Sequence, residues 1–193
     1  MNAGPRQWLL ATIAGAQRST GMSRAFTKED DVQPAPLVPP RAALPAGMPN
    51  YVTPRGLAQL RTERTVLEAE HTAAEANHDN DTDRTHRLSL LNGRLALLAG
   101  RISSAKVIDP RTQPAKEVRF GATVRLRTVS GGTAGFERSF TIVGVDEADV
   151  VAGKVGFVAP IARAIIGAEL GKTATLPLGP PPEVVEVVSI DYQ

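Results

Sequence analysis

The chain has 193 residues, 42% hydrophobic, 22% charged and 4% aromatic, with 17 glycines, 15 prolines and no cysteine. That length accommodates one ordinary domain with an appendage, or two small modules; the missing thiols exclude disulfides, thiolate metal sites and cysteine nucleophiles, and they fit a cytoplasmic protein. A net charge of +2, from 22 Lys and Arg against 20 Asp and Glu, excludes adhesion to nucleic acid through bulk charge, and the scarcity of aromatics excludes an aromatic base-stacking platform.

Trp8 to Ala16 reads WLLATIAGA after Arg6, the pattern of the apolar part of a secretory signal. Met22 opens the polar MSRAFTKEDD, and an over-extended start codon accounts for the first 21 residues more simply. No apolar run approaches the ~20 residues of a membrane-spanning helix, so no membrane partner is expected. Residues 32 to 49 contain Pro34, Pro36, Pro39, Pro40, Pro45 and Pro49, too many for helix or central strand, which predicts an extended, solvated linker. Residues 1–50 are therefore expected to be a disordered N-terminal extension ending in this linker.

Thr53-Pro54 has the form of a helix start, with a hydroxyl at the N-cap and proline at N1. Leu57, Leu60, Arg64, Leu67, His71 and Ala74 follow at alternating spacings of three and four. After the polar break EANHDNDTDRTH the spacing returns as Leu88, Leu91, Leu95, Leu98, Ile102 and Ala105, with Leu90 and Leu97 widening the stripe. Neither helix can hide its stripe alone, so the two fold back as an antiparallel coiled-coil hairpin within residues 51–109, with arms ~33 Å long.

From Val118 the period switches to two. Strands are predicted at Val118–Phe120, Val124–Leu126, Phe140–Ile142 and Val184–Ile190, between turns at Gly131-Gly132, Gly153 and Pro180 to Pro182. One helix starts at Pro160, carries Ile161, Ala164 and Ile165 on one face and ends at Gly167. Residues 110–193 thus read as a small antiparallel sheet packed against a single helix, and the whole chain as α+β.

Asp146-Glu147-Ala148-Asp149 spells a helicase metal-binding tetrad, and GAELGKT at Gly167 to Thr173 imitates a phosphate loop. The loop has three residues where four are needed between its first glycine and Gly-Lys, and the tetrad lies upstream of it rather than downstream. ATP hydrolysis is excluded. Asp79-Asn80-Asp81-Thr82-Asp83 opens like a calcium loop, but Arg84 stands at the sixth position and Leu90 at the twelfth, where glycine and glutamate are required. Three carboxylates at an exposed hairpin end can still help to hold a hard cation bound partly elsewhere; a solvated polar turn is the plainer reading. His71 and His78 sit two turns apart, ~10 Å, too far to share an ion, so no metal site of the chain's own is expected.

Three blocks resemble the bacterial transcript-cleavage factors GreA and GreB: Phe120-Gly121-Ala122-Thr123-Val124, Ile142-Val143-Gly144-Val145-Asp146-Glu147-Ala148-Asp149, and Ala159-Pro160-Ile161-Ala162-Arg163-Ala164-Ile165-Ile166-Gly167. The start at Met22 looks GreB-like, and Val52-Thr53-Pro54 and Lys106-Val107-Ile108-Asp109 are similar to the bounds of the family's hairpin, so the resemblance spans about residues 51 to 193. It implies an FKBP-like second domain that docks on RNA polymerase, and a hairpin that enters the secondary channel. Tip acids there help to hold a magnesium ion of the polymerase active site while backtracked RNA is cleaved; the nascent RNA is met only indirectly, and DNA only through the transcription complex. Such a protein assists the polymerase and is not itself an enzyme. Docking positions implied are Asp146, Glu147, Asp149, Pro160 and Arg163.

The family's tip string, approximately GDxxENAxY, is absent, so Asp79, Asp81 and Asp83 are tip candidates by position alone. The hairpin also counts roughly a dozen residues short, ~9 Å of reach when divided between two arms, against the ~2.1 Å at which a carboxylate binds magnesium. Ala159 replaces the usual serine before the Pro-Ile-Ala-Arg helix, a missing cap of ~1 kcal/mol. These departures leave a second function open, a non-cleaving channel binder comparable with the nucleoside-diphosphate-kinase regulators. Prolyl isomerisation lacks the aromatic lining it requires, with only Phe120, Phe136, Phe140, Phe157 and Tyr192 in the second module, and hairpin-to-hairpin pairing is the bland structural alternative.

Overall fold

The computed structural model describes residues 37–78, 80–177 and 179–193. The apolar stretch at Trp8 to Ala16, the Met22 start and Asp79 lie outside the described residues.

Strand β1 (Asn50–Val52) leads into helix α1 (Pro54–Ala76), and α2 (Asp81–Ser103) returns antiparallel to it before strand β2 (Ala105–Val107). Both helices start as their sequences dictate. The Thr53 hydroxyl accepts the Gly56 N–H with Pro54 at N1, and the Asn80 side chain accepts the N–H groups of Thr82 and Asp83. Each arm has 23 residues, about 34 Å at ~1.5 Å per residue. The seam closes on Leu60, Leu67, Ala74, Leu91 and Leu98, with Leu57, Leu88, Leu95 and Ile102 half-buried beside them. Arg64 and His71, which hold seam positions in the heptad count, instead turn to the flanks and face Glu68 and Glu75 one turn on.

Strands β3 (Ala122–Ser130), β4 (Glu137–Val143), β5 (Lys154–Gly156), β6 (Thr173–Leu176) and β7 (Glu183–Tyr192) form one sheet in the order β5-β4-β3-β7-β6. All neighbours are antiparallel except β4 and β5, which run parallel, so the expected antiparallel sheet carries one parallel edge strand. Helix α3 (Pro160–Ile165) covers it, burying Ala162 and Ile165 against Val124, Leu126, Ile142, Val185 and Val187. Gly167 ends the helix at φ +90°, a conformation that a Cβ disfavours.

Val118–Phe120 is not a strand of this sheet. The Val118 N–H donates to Ala168 O at 2.9 Å, and the Val118 carbonyl accepts the Gly167 N–H at 2.8 Å. Val118 is buried beside the end of α3 and Phe120 against the rings of Tyr51 and Phe157, so period-two burial arose without a sheet neighbour. The proline-rich run departs further from expectation over its described part. It has no helix or strand and is mostly exposed, but it is held at points: Val38 fills the notch at Gly93 of α2, where a Cβ would collide with it, and Leu44 packs on the core of the sheet module.

Candidate functional site

The candidate residues lie mainly in two regions, the hairpin tip and the joint at its base. At the tip, Asp81 and Asp83 occupy the first turn of α2, where negative charge favourably meets the helix dipole. Asp81 pairs with Arg84 at 3.0 Å, and Asp83 accepts a hydrogen bond from Asn80 at 2.8 Å. Two residues apart on a helix, the carboxylates diverge by about 200° and cannot close on one ion. As donors to magnesium they fit only singly, beside ligands from elsewhere. The helix running unbroken from Asp81 also removes any twelve-residue calcium loop. His78 meets Arg84 at 3.1 Å. Among the described residues, no group of three or more His, Asp or Glu is placed to hold a metal ion.

The joint is built from both modules. Parallel pairing of β1 with β2 ties the start of α1 to the exit from α2. The Ile108 N–H donates to Val52 O at 3.0 Å, and the Asn50 amide donates to Arg101 O at 2.8 Å. Tyr51 packs on Phe120 and Phe157, with ring centres 5.8 and 5.5 Å away, and the two phenylalanines meet edge to face at 5.8 Å, so the three rings form a triangle. Gly144 passes so close to the Tyr51 carbonyl that a Cβ there would stand 2.8 Å from it, which accounts for glycine in this block on steric grounds.

The acidic block lies in this joint, as the 3-10 turn Val145–Glu147. Glu147 is buried; its Oε2 accepts the Thr53 hydroxyl at 2.7 Å, and Lys154 stands 3.6 Å from Oε1. The Asp146 side chain is 9% exposed and lies between two guanidinium groups, with Arg41 at 2.9 Å and Arg101 at 2.9 Å. Arg41 also forks onto Glu63 of α1 at 2.7 and 3.0 Å. These hydrogen bonds hold the Glu63 carboxyl below its usual range and raise Arg41 further above its own.

The expected docking positions therefore separate. Asp146 and Glu147 are taken up within the chain, where a docking contact would need them exposed. Asp149, Pro160 and Arg163 are exposed; Asp149 shapes its own loop by accepting the N–H groups of Val151 and Ala152. Beside it Val150 and Val151 are almost fully exposed. The GAELGKT segment is a turn, bridged by Glu169 to Glu117, that runs into β6, with no strand-to-helix loop for a phosphate.

Sequence reasoning did not identify Arg41, Arg101 or the Thr53–Glu147 pair. Arg41 had a readable signal, being the only charged residue between positions 32 and 49. Arg101 and Thr53 had none, since their partners lie 45 and 94 positions away in sequence.

Residues 113–192 match the family model described as transcription elongation factor, GreA/GreB, C-term. A transcription elongation factor GreA of Alkalilimnicola ehrlichii is 35% identical over 156 residues, 73% of this chain and 96% of the relative. The chain belongs to the GreA/GreB family. A GreA of Acidiphilium cryptum is 32% identical over 73% of this Gre-family chain and 96% of its own length. A solved GreA/GreB elongation factor from Nitrosomonas europaea covers 75% of this chain and 99% of its own, at 21% identity and a TM-score of 0.35. Among the described residues of this Gre factor, no helix is long and apolar enough to cross a membrane.

Proposed function

We propose that this Gre-family factor binds RNA polymerase at the secondary channel, inserts its hairpin, and promotes rescue of backtracked or arrested complexes. The carrying observation is mechanical. A stiff paired-helix rod of about 34 Å rises from a sheet module through a joint of hydrogen bonds, ion pairs and tilted aromatic contacts. The relatives' printed role as transcription elongation factors supports this reading. The chain would act through the polymerase's own magnesium, offering one tip carboxylate at a time and performing no turnover alone.

A specific observation favours a second reading, channel occupancy without cleavage. Asp81 and Asp83 are engaged by Arg84 and Asn80, work that a solvated helix start would require in any case. One assay separates the two. Saturating protein added to a stalled elongation complex shortens the nascent RNA under the first reading, and Asp81→Asn with Asp83→Asn abolishes that shortening while binding persists. Displacement of an authentic cleavage factor without RNA shortening selects the second. Failure to bind core polymerase refutes both.

A further inference from the structure

The contacts at the joint all lie near one level, where α1 begins and α2 ends, which is the arrangement of a pivot. Residues 38–44 grip the rod higher up. Glu63 is ten residues beyond Thr53, and Gly93 ten before Ser103, so their backbone positions lie about 15 Å along the rod. Arg41 ties Glu63 to Asp146 of the sheet module. Arg101 completes the circuit by pairing with Asp146 and donating to the Ala42 carbonyl. The Arg41, Asp146 and Arg101 side chains are 19%, 9% and 12% exposed, so water and salt screen the two Asp146 pairs less than surface pairs, while Glu63 on the rod is 37% exposed.

The geometry points to residues 38–44 as a diagonal brace that fixes the angle of the hairpin on the sheet module, with Arg41 as its positioning residue and the Gly93 notch as its second hold. A planar guanidinium suits this place because its several N–H donors reach two carboxylates at once, which the single ammonium of lysine does less well. A swing of about 10° at the pivot would carry the tip of the rod by about 6 Å, several times the tolerance of any metal-directed contact. Aiming the tip is the use of the brace, and that use rests on the proposed channel-binding function; the brace itself does not.

Because the chain has no cysteine, paired spin labels can be introduced cleanly at Ser89→Cys on α2 and Thr173→Cys on β6 of the full-length protein, both exposed positions. The wild-type label distance is expected to be narrow. Arg41→Ala should at least double its width, Arg41→Lys should give an intermediate width, and Gly93→Ala should broaden it by the independent route of expelling Val38. Arg64→Ala, which removes an exposed pair with Glu68, should leave it unchanged. Circular dichroism shows which variants keep their helix content, and the two routes cover each other should one variant unfold. Wild-type width in both Arg41→Ala and Gly93→Ala overturns the brace whatever the polymerase result, and broadening in a protein that ignores polymerase upholds the brace while removing the proposed function.

Discussion

The Thr53 hydroxyl donates to the buried Glu147 carboxylate at 2.7 Å while accepting the Gly56 N–H at 2.9 Å. One oxygen thus caps the hairpin's first helix and ties it to the sheet module. Thr53→Ala removes the cap, about 1 kcal/mol, and leaves a buried carboxylate short of a donor, about 1–3 kcal/mol. A combined loss of about 2–4 kcal/mol should appear in urea unfolding. A loss matching the cap alone would mean that Glu147 does not depend on Thr53.

Two glycines in the same helix should respond oppositely to alanine. Position 100 has open space around it, so Gly100→Ala should stabilise by up to about 1 kcal/mol, the usual helix-propensity gain. Gly93→Ala has the same propensity gain but must displace Val38. It should be neutral or destabilising, and equal melting-temperature gains in both variants would show that Val38 does not occupy the notch.

Adjacent leucines on α2 make a similar contrast. Leu98 is fully buried in the seam, and Leu97 is 44% exposed beside the brace. Leu98→Ala should lower stability by about 3 kcal/mol through lost burial and an unfilled cavity, and Leu97→Ala by less than about 1 kcal/mol. Thermal unfolding followed at a helix band reads both.

Ala159 is the N-cap residue of α3 and makes no side-chain cap hydrogen bond. Ala159→Ser supplies an acceptor for a first-turn N–H and should raise stability by about 1 kcal/mol. An unchanged unfolding midpoint would mean that those groups are already satisfied.

Acid should weaken the brace. Arg41, through its hydrogen bonds first and its charge second, and Arg94 at longer range hold the Glu63 carboxyl below its ordinary value of 4.5. Arg138 and the Thr128 hydroxyl do the same for Glu183. A lowered folded value means that the stabilisation is fully present above about pH 4.5 and is lost as pH falls through the folded values. Unfolding free energy should therefore be insensitive to these groups near neutrality and fall in acid. Glu63→Gln should flatten part of that fall, and an unaltered acid limb in this variant would contradict the assignment.

Local rules sufficed wherever one segment settled its own conformation. Thr53-Pro54 fixed the start of α1, the spacing of Leu60, Leu67, Leu91 and Leu98 fixed the seam, and Pro160 and Gly167 fixed the limits of α3. These features follow from backbone sterics and from the need of each stripe to leave water. The family was legible by a different route, the resemblance of three ordered blocks to GreA and GreB, which a family match and a 35% identical relative bear out.

Only the folded chain decided what charge and apolar surface do across a distance. Asp146 and Glu147 look like exposed docking acids in sequence, yet folding sets them between Arg41, Arg101, Thr53 and Lys154. Val118–Phe120 has the period of a strand but finds its partners at the end of α3. The proline-rich run is too broken to form helix or sheet, and nothing in it names Gly93, Glu63 or Asp146 as partners. Burial pattern reports whether a residue leaves water and not which neighbour receives it, because that neighbour is chosen by the packing of the whole chain.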